Sequence, residues 1–175
     1  MHEDISIRRL EPADRDAFFA LRLRGLKTHP AAFGQSYEEA VERGPSQHDA
    51  MLGGTPAASG SFLLGALSST DGALVGTVGL LRETRHKERH KGHVIGMYVA
   101  DEAAGRGVGR ALLTELLARA AQVDGLRQVV LLVTSANGSA RALYESLGFR
   151  VYGTEPDALF IDGVFHDADL MVRFI

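Results

Sequence analysis

The stretch that decides the fold of this chain is residues 99–110, which read VADEAAGRGVGR. Glycines at 105, 107 and 109 let the backbone turn tightly and approach a ligand without a side-chain clash. The first N–H groups of a helix have no partner inside it and lie at the positive end of its dipole. The stretch therefore predicts a strand end, a tight turn and a helix start that bind an anion, preferably phosphate. A tight strand-to-helix turn without a ligand is the alternative.

Two better-known phosphate-binding sequences do not fit the glycine spacing. A P-loop requires Gly-x-x-x-x-Gly-Lys-Ser/Thr, and no lysine-serine or lysine-threonine pair follows these glycines. The dinucleotide fingerprint Gly-x-Gly-x-x-Gly stands early in a βαβ unit, whereas these glycines alternate and lie in the middle of the chain. The loop is therefore assigned to neither class.

The segments around the glycine loop predict a sheet with helices packed on it. Apolar residues at helical spacing predict a helix over 108–123, and the apolar run at 128–134 predicts a central strand. The Asp-Gly pair at 71–72 predicts a hairpin of strands 62–67 and 73–81. Further strands are predicted at 5–10, 94–100, 149–152 and 169–174, further helices after Asp14, at 31–43 and at 139–147, and mostly loop at 44–61.

The order of these elements predicts an α/β (α+β) fold. An antiparallel first half precedes a second half with crossover connections, so we expect a mixed, mostly antiparallel sheet of about seven strands flanked by about four helices. The length of 175 residues suits one domain, and residues 1–175 are expected to form it.

Composition narrows the class of protein. The chain is 45% apolar and 23% charged, which is typical of a protein with one sizeable core. The absence of cysteine excludes disulfides, a thiolate nucleophile and cysteine-ligated zinc. A net charge of −3 argues against a generic nucleic-acid coat, and no apolar run is long enough to span a membrane. The polar N-terminus is unlike a secretory signal, so we expect a cytoplasmic protein with neither nucleic acid nor membrane as a partner.

Charge is distributed unevenly along the chain. Residues 82–93 hold five lysines and arginines, whereas the residues beyond Thr154 hold five carboxylates against Arg173 alone. Two interpretations remain open. These segments are solvated loops, or they belong to a site that handles an anionic cofactor and a cationic substrate.

Two motifs resemble those of the GCN5-related N-acetyltransferases. That family has Arg/Gln-x-x-Gly-x-Gly/Ala at the glycine turn; Gly107 and Gly109 match its small positions, and Ala104 stands where the family has Arg or Gln. Residues 137–149, NGSARALYESLGF, resemble the family's Asn-x-x-Ala-x-x-x-Tyr-x-x-x-Gly-Phe. The strand at 96–99 resembles the one that pairs with the pantetheine arm of acetyl-CoA. The resemblance covers nearly the whole chain and implies the family's fold.

The resemblance also implies that acetyl-CoA is the co-substrate and that amides of the glycine loop hold its pyrophosphate. Ala104 removes one polar contact, and Arg106 is the nearby side chain that could replace it. Asn137 could instead serve only as a helix N-cap. The residues implied in cofactor binding are Met97, Tyr98, Val99, Ala104, Gly105, Arg106, Gly107, Val108, Gly109, Arg110, Asn137, Ala140 and Tyr144.

Tyr144 and His93 are the predicted catalytic residues. In the family, the tyrosine that matches Tyr144 lies near the sulfur and protonates the departing thiolate; a half-buried ring that fills the gap between helix and sheet is the alternative. His93 stands where many members have a glutamate base, and an imidazole can accept a proton near neutral pH. Glu83 is the rival base, and a solvent-exposed residue at a strand end is the alternative for both.

Two further groups of residues are candidates for the site. His86, His90 and His93 suggest a metal site, but the neighbouring cations would repel a divalent ion and no carboxylate cluster completes the shell, so no metal is expected. The first two helices flank the acceptor pocket in the family, although core packing is the default for their apolar residues. The candidate residues in these two predicted helices are Phe18, Leu21, Arg22 and Phe33.

The resemblance implies an N-acetyltransferase that moves acetyl from acetyl-CoA to a primary amine of a small molecule or peptide by direct attack. A non-catalytic CoA-binding or regulatory module and a different nucleotide-binding protein are the alternatives. The acidic segment beyond Thr154 favours a cationic acceptor, whose identity stays open. Homodimers are common in the family, so a homodimer is an expected assembly.

Overall fold

The computed structural model describes residues 5–53 and 59–175, so that part of the predicted loop at 44–61 lies outside the described residues. The strands are β1 (Ile5–Arg9), β2 (Phe62–Ser68), β3 (Leu74–Arg82), β4 (Lys91–Val99), β5 (Gln128–Thr134), β6 (Arg150–Ile161) and β7 (Val164–Phe174). The α-helices within the described residues are α1 (Arg15–Thr28), α2 (Tyr37–Arg43), α3 (Val108–Ala120) and α4 (Gly138–Ser146).

One sheet runs through the molecule in the strand order β1-β2-β3-β4-β5-β7-β6. Neighbouring strands are antiparallel except β4 and β5, which are parallel. A parallel pair needs a crossover connection, and α3 provides it. The predicted mixed, mostly antiparallel sheet of about seven strands with about four helices is confirmed for the described residues.

Helices pack on both faces of this sheet because its strands bury alternate side chains on opposite sides. On β2, Leu64 belongs to the core cluster built around Leu112 of α3. Its neighbour Leu63 packs instead with Phe18 of α1. Helix α4 joins the α3 layer through Tyr144. The core therefore has two layers, with α1 opposite α3 and α4.

Strands β4 and β5 separate soon after they pair. Their ladder joins only residues 91–93 to residues 128–130, and it ends where His93 faces Val130. Beyond this point the two strands diverge within the sheet. The separation opens a cleft between them.

A β-bulge interrupts β4 beside this opening. Gly96 and Met97 stand opposite Val78 alone in the ladder with β3. Gly96 has a φ of 58°, a left-handed conformation that favours glycine. A bulge leaves the backbone groups of one residue unpaired and bends the strand. Backbone amides of β4 thus become available next to the cleft.

The helix predicted over 31–43 begins later than expected. Ser36 accepts a hydrogen bond from the amide of Glu39, and Glu39 accepts one from the amide of Ser36. This capping box fixes the start of α2 at Tyr37. A short 3-10 helix at Pro30–Ala32 occupies the start of the predicted segment.

The strands predicted at 149–152 and 169–174 are much longer and form one hairpin, β6–β7. Its two-residue turn consists of Asp162 and Gly163, with φ values of 49° and 80°. Positive φ at both positions is the type I′ geometry that an Asp-Gly pair favours. The acidic segment beyond Thr154 therefore lies mainly in a hairpin and is not a loop.

Gly25 lets α1 pack closely against β4. A Cβ at this position would lie 2.9 Å from Cγ of Tyr98 and 3.1 Å from Cζ of Phe33. We expect Gly25→Ala to lower the free energy of unfolding by about 1–3 kcal/mol through overpacking, in spite of the better helix propensity of alanine. Urea denaturation measures the change. Gly138→Ala, where a Cβ would meet no described atom within 4 Å, is the matched control and should leave stability unchanged or slightly raised.

Candidate active site

The turn that leads into α3 has the geometry of an anion-binding loop. Gly105 and Gly107 adopt left-handed φ values of 74° and 80°. Gly107 is the N-cap of α3, and as a glycine it makes no side-chain capping hydrogen bond. A Cβ at either glycine would meet no described atom within 4 Å, so the outer side of the loop is open. The first amides of α3 can therefore reach a phosphate.

Gly109 allows a close approach between α3 and β4. A Cβ there would lie 3.0 Å from Cε of Met97. Because glycine leaves this space free, the start of α3 lies directly beside the strand that resembles the pantetheine-binding one. The glycine loop and β4 thereby form two sides of one groove.

This groove has a volume of about 830 Å³. Uncapped amides at one end and apolar side chains such as Val99 and Leu143 along its walls fit the pyrophosphate and the pantetheine arm of CoA. Ala104 contributes no polar side-chain atom. Arg106 lines neither this groove nor the cleft between β4 and β5. The predicted cofactor-binding residues in the groove walls are Met97, Tyr98, Val99, Ala104, Gly105, Gly107, Val108, Gly109, Arg110, Asn137 and Ala140.

Asn137 combines the two roles that its sequence position suggested. Its Oδ1 accepts a hydrogen bond of 3.2 Å from the amide of Ala140 and so caps α4. The residue also lines the groove. Within the described residues its side-chain NH2 group has no hydrogen-bond acceptor, so it can donate to a ligand.

The cleft between β4 and β5 has a volume of about 650 Å³. Both strands, residues 31–34 and α4 line it. It shares Met97, Asn137 and Ala140 with the groove. Groove and cleft are therefore adjoining compartments that meet at these residues.

The two rival bases form one hydrogen-bonded pair, of which His93 lies in the wall of the cleft. Nε2 of His93 lies 2.8 Å from Oε1 of Glu83. In the neutral tautomer that donates from Nε2 to this carboxylate, Nδ1 keeps its lone pair. His93 lines the cleft, and its side chain is 40% exposed. The pair thus offers a histidine whose second ring nitrogen can accept a proton.

Tyr144 lines the same cleft from α4 and is only 8% exposed. Its ring packs edge-on against Phe149, with the ring centroids 5.9 Å apart. Burial raises the pKa of the Tyr144 hydroxyl to about 12, because the phenolate would be poorly solvated. The hydroxyl is therefore protonated near neutral pH and can donate. The packing role and the donor role are compatible.

The carboxylates of the acidic segment do not line the cleft. None of its five carboxylates belongs to the cleft walls. Asp169 is buried and accepts hydrogen bonds from Ser135, Thr154 and Arg141. The walls of the cleft therefore give no support to the expectation that these carboxylates attract a cationic acceptor.

Metal-binding and membrane-spanning features are absent from the part of the chain that the structure describes. No group of three or more His, Asp or Glu side chains among residues 5–53 and 59–175 could hold a metal ion. No helix within the same ranges is long and apolar enough to cross a membrane.

Several cleft residues are not among the predicted site residues: His48, Gly96, Thr134, Tyr152 and Leu159. Gly96 carried a readable signal, since a glycine inside a strand often marks a bulge. The others come from segments that only tertiary packing brings together, and no local pattern identifies them.

Comparison with known proteins shows which family these features belong to. A sequence profile described as the Acetyltransferase (GNAT) family matches residues 27–149. The matched region includes the glycine loop and the whole of α4. The chain therefore belongs to the GNAT acetyltransferase family.

Three proteins with similar sequences or folds illustrate how closely the chain resembles known acetyltransferases. A mycothiol acetyltransferase of Acidothermus cellulolyticus is 34% identical over 173 residues, which cover 92% of this chain and 49% of that protein. The chain thus spans about half the length of that relative. YdaF of Bacillus subtilis, provisionally named a ribosomal N-acetyltransferase, is 27% identical over 178 residues, covering 95% of this chain and 89% of YdaF. A phosphinothricin acetyltransferase from Sinorhizobium meliloti, solved with AcCoA, shares the fold, with a TM-score of 0.82 and 24% identity over 100% of this chain and 89% of that one.

Proposed function

We propose that this chain is an acetyl-CoA-dependent N-acetyltransferase that acts on a primary amine of a small molecule or peptide. The observation that carries this proposal is that the groove and the cleft adjoin at Met97, Asn137 and Ala140, while His93 on β4 and Tyr144 on α4 line the cleft. Two substrates in adjoining compartments have their reacting groups side by side, which direct transfer within a ternary complex requires. The proposal takes residues 1–175 as one acetyltransferase domain that works in the cytoplasm.

His93, the backbone of β4 and Tyr144 can each take one part of the chemistry. When bound, acetyl-CoA supplies a thioester, whose C–S bond breaks as the amine nitrogen forms the new C–N bond. Nδ1 of His93 accepts the proton of the ammonium, directly or through a water, and Glu83 stabilises the resulting imidazolium. Backbone N–H groups of residues 97–99 polarise the carbonyl oxygen next to the bulge. The hydroxyl of Tyr144 donates to the sulfur, which leaves with the electron pair of the broken bond.

A non-catalytic CoA-binding module is the second candidate. Ala104 favours it, because the glycine loop lacks the polar side chain that the family has there. The His93–Glu83 pair and the buried Tyr144 favour an enzyme, because a binding module needs neither a base nor a donor in the cleft.

An acceptor screen decides between these candidates. Purified protein is incubated with acetyl-CoA and a panel of amines, thiol release is followed, and mass spectrometry identifies the product. Amine-dependent thiol release with an acetylated amine is expected. Tight acetyl-CoA binding without turnover of any amine would support the binding module, and binding of ATP or NAD in place of CoA would contradict both candidates.

Gly107→Glu is expected to weaken acetyl-CoA binding at least about tenfold, or about 1.4 kcal/mol. The carboxylate would stand at the N-terminus of α3, where the amides otherwise face an anion. Calorimetric titration with acetyl-CoA measures the loss. Gly107→Ala is the matched control, since it introduces the same backbone strain at a φ of 80° without the charge. Equal affinity of a folded Gly107→Glu variant and wild type would contradict a phosphate site at this loop.

A further inference from the structure

Arg22 of α1 is the permanently charged side chain in the described wall of the cleft between β4 and β5. The other described residues of that wall are apolar, neutral polar or histidine, and none of them is an aspartate, a glutamate, a lysine or a second arginine. The guanidinium lies over the ring of Phe33, with its Cζ 5.6 Å from the ring centroid. Positive charge thus projects into a space that is otherwise largely apolar.

Neutral amides hold this guanidinium in place. Nη2 of Arg22 donates to Oε1 of Gln35 at 2.8 Å, and Nε donates to the same oxygen at 3.3 Å. Gln35 in turn donates to Oε1 of Gln47 at 2.9 Å, and Gln47 donates to the carbonyl of Gly44 at 2.9 Å. This chain of amides orients Arg22 without neutralising it.

The absence of a countercharge distinguishes Arg22 from its neighbours on α1. Arg15 pairs with Asp49, and Arg24 pairs with Glu102. Within the described residues Arg22 has no carboxylate partner, and burial lowers the pKa of its guanidinium. A charge that is partly withdrawn from water is costly unless an opposite charge compensates it. A bound anion would provide that compensation.

The available edge of the guanidinium points to where the anion would lie. Gln35 occupies the Nε–Nη2 edge, which leaves the Nη1–Nη2 edge for a ligand. Nη1 lies next to the bulge of β4, 3.5 Å from the position of a Cβ built on Gly96. Two parallel N–H groups on one edge match the two oxygens of a carboxylate.

His48 adds a second polar group to the same wall without adding charge. Its Nδ1 is buried and has no hydrogen-bond partner among the described residues. Burial, with a smaller contribution from the positive charge of Arg22, lowers the pKa of His48 to about 4, so the ring is neutral near pH 7. An incoming anion therefore meets the permanent positive charge of Arg22, with an unsatisfied nitrogen of His48 in the same wall.

We propose that the acceptor is an amine that also carries a carboxylate, as an amino acid does, and that Arg22 binds this carboxylate through its Nη1–Nη2 edge. This inference rests on the proposed N-acetyltransferase function, because the bound amine is an acetyl acceptor only in such an enzyme. The contact between Arg22 and the carboxylate would hold the substrate so that its amine lies near His93 in the same cleft. Arg22 is thus a substrate-binding residue that selects the class of acceptor.

Matched acceptor pairs test the proposal directly. Each standard L-amino acid is compared with its own carboxamide, which keeps the amine and the side chain and removes only the negative charge. For wild type, kcat/KM of the acids is expected to exceed that of the amides by about 10- to 100-fold, as for a charged hydrogen-bonded pair. Arg22→Met should abolish this preference by lowering the rate with acids and sparing the rate with amides. Arg22→Lys, which keeps the charge and loses the two-pronged edge, should retain part of it.

A control variant and a binding measurement complete the test. Arg119→Met removes a half-exposed arginine of α3 that pairs with Glu115, and it should leave the preference unchanged. Saturation-transfer NMR with butyrate and butyramide on the CoA-loaded protein reports binding without turnover. Butyrate should bind wild type and not Arg22→Met, and butyramide should bind neither. Melting temperatures establish that the variants are folded.

The outcomes separate this proposal from the proposed function. Equal rates for acids and amides in wild type overturn the carboxylate site, although the protein would still be an N-acetyltransferase. An equal fall in kcat/KM for acids and amides in a folded Arg22→Met variant also overturns the carboxylate site, since the arginine would then act on the thioester or on packing. A clear preference for the matching aminophosphonic acid overturns the choice of a carboxylate. Arg22-dependent butyrate binding without turnover of any amine would support the anion site while the proposed function fails.

Discussion

Tyr144→Phe is expected to lower kcat about 100-fold while the affinity for acetyl-CoA stays within a few-fold of wild type. The substitution keeps the ring, which packs against Phe149, and deletes only the hydroxyl. Since the side chain is only 8% exposed, water cannot easily take the place of the missing donor. Steady-state kinetics with a turned-over amine and calorimetry with acetyl-CoA measure the two quantities.

The raised pKa of Tyr144 changes what the pH profile should show. Burial raises this pKa to about 12, so the hydroxyl remains protonated up to roughly pH 11. A tyrosine at its ordinary pKa near 10 would instead lose its proton, and the rate would fall, between about pH 9 and 11. We therefore expect no loss of rate from Tyr144 below about pH 10.5, in contrast with an exposed tyrosine acid.

A weak acid of this kind helps mainly as a hydrogen-bond donor. An alkyl thiol such as that of cysteine ionises near pH 8.5, well below 12, so complete proton transfer from Tyr144 to a solvated thiolate would be unfavourable. A buried thiolate is itself poorly solvated, however, and a donor in the cleft stabilises the charge that develops on sulfur. If Tyr144→Phe keeps nearly full kcat, the thiolate leaves without help and Tyr144 serves only in packing.

The parts of the fold that the sequence predicted well are those with strong local patterns. Helix α3 and strand β5 have uninterrupted periodicity or a continuous apolar run, and the structure confirms both. The strands at 149–152 and 169–174 were predicted too short and without a turn between them, although residues 162–163 have the same Asp-Gly signal that correctly predicted the turn between β2 and β3. The alternation of polar and apolar residues along β6 is weak, so the turn was the readable signal there.

The residues of the candidate site likewise fall into those with a local sequence signal and those whose relation depends on the fold. The glycine loop and Asn137 lie within continuous segments that resemble the family's motifs, and this resemblance is what assigned them to the cofactor-binding site. The relation between His93 and Glu83 depends instead on the register of β3 with β4, which pairs Leu81 with His93. Sequence reasoning therefore treated the two as rivals, whereas the structure brings them to 2.8 Å of each other. The unpaired charge of Arg22 is likewise a tertiary property, because it depends on which carboxylates fail to reach it.

His93→Ala is expected to lower kcat/KM by about 100- to 1000-fold at neutral pH, the range of a lost general base. At that pH most of a primary amine is protonated, and attack requires that its proton be removed. Nδ1 of His93 is the ring nitrogen that can take it, because Nε2 donates to Glu83. The measurement is kcat/KM for a fixed amine across the pH range in which that amine titrates.

Two variants on neighbouring residues separate base catalysis from general disruption. Glu83→Gln leaves His93 in place but replaces the carboxylate by an amide, which can donate as well as accept and no longer fixes the tautomer. A smaller loss, about tenfold, is expected from this positioning residue. His86→Ala removes an exposed histidine from the turn between β3 and β4 that does not line the cleft, and it should behave as wild type.

The shape of the pH profile carries the decisive information about His93. As pH rises, a growing fraction of the amine loses its proton to water and no longer needs a base. The rate of His93→Ala should therefore climb with pH and approach that of wild type once the amine is largely neutral. In wild type the rate should level off at lower pH, because the His93–Glu83 pair removes the proton within the cleft. A loss that is uniform at every pH would instead assign His93 to the shape of the cleft and leave proton removal to water.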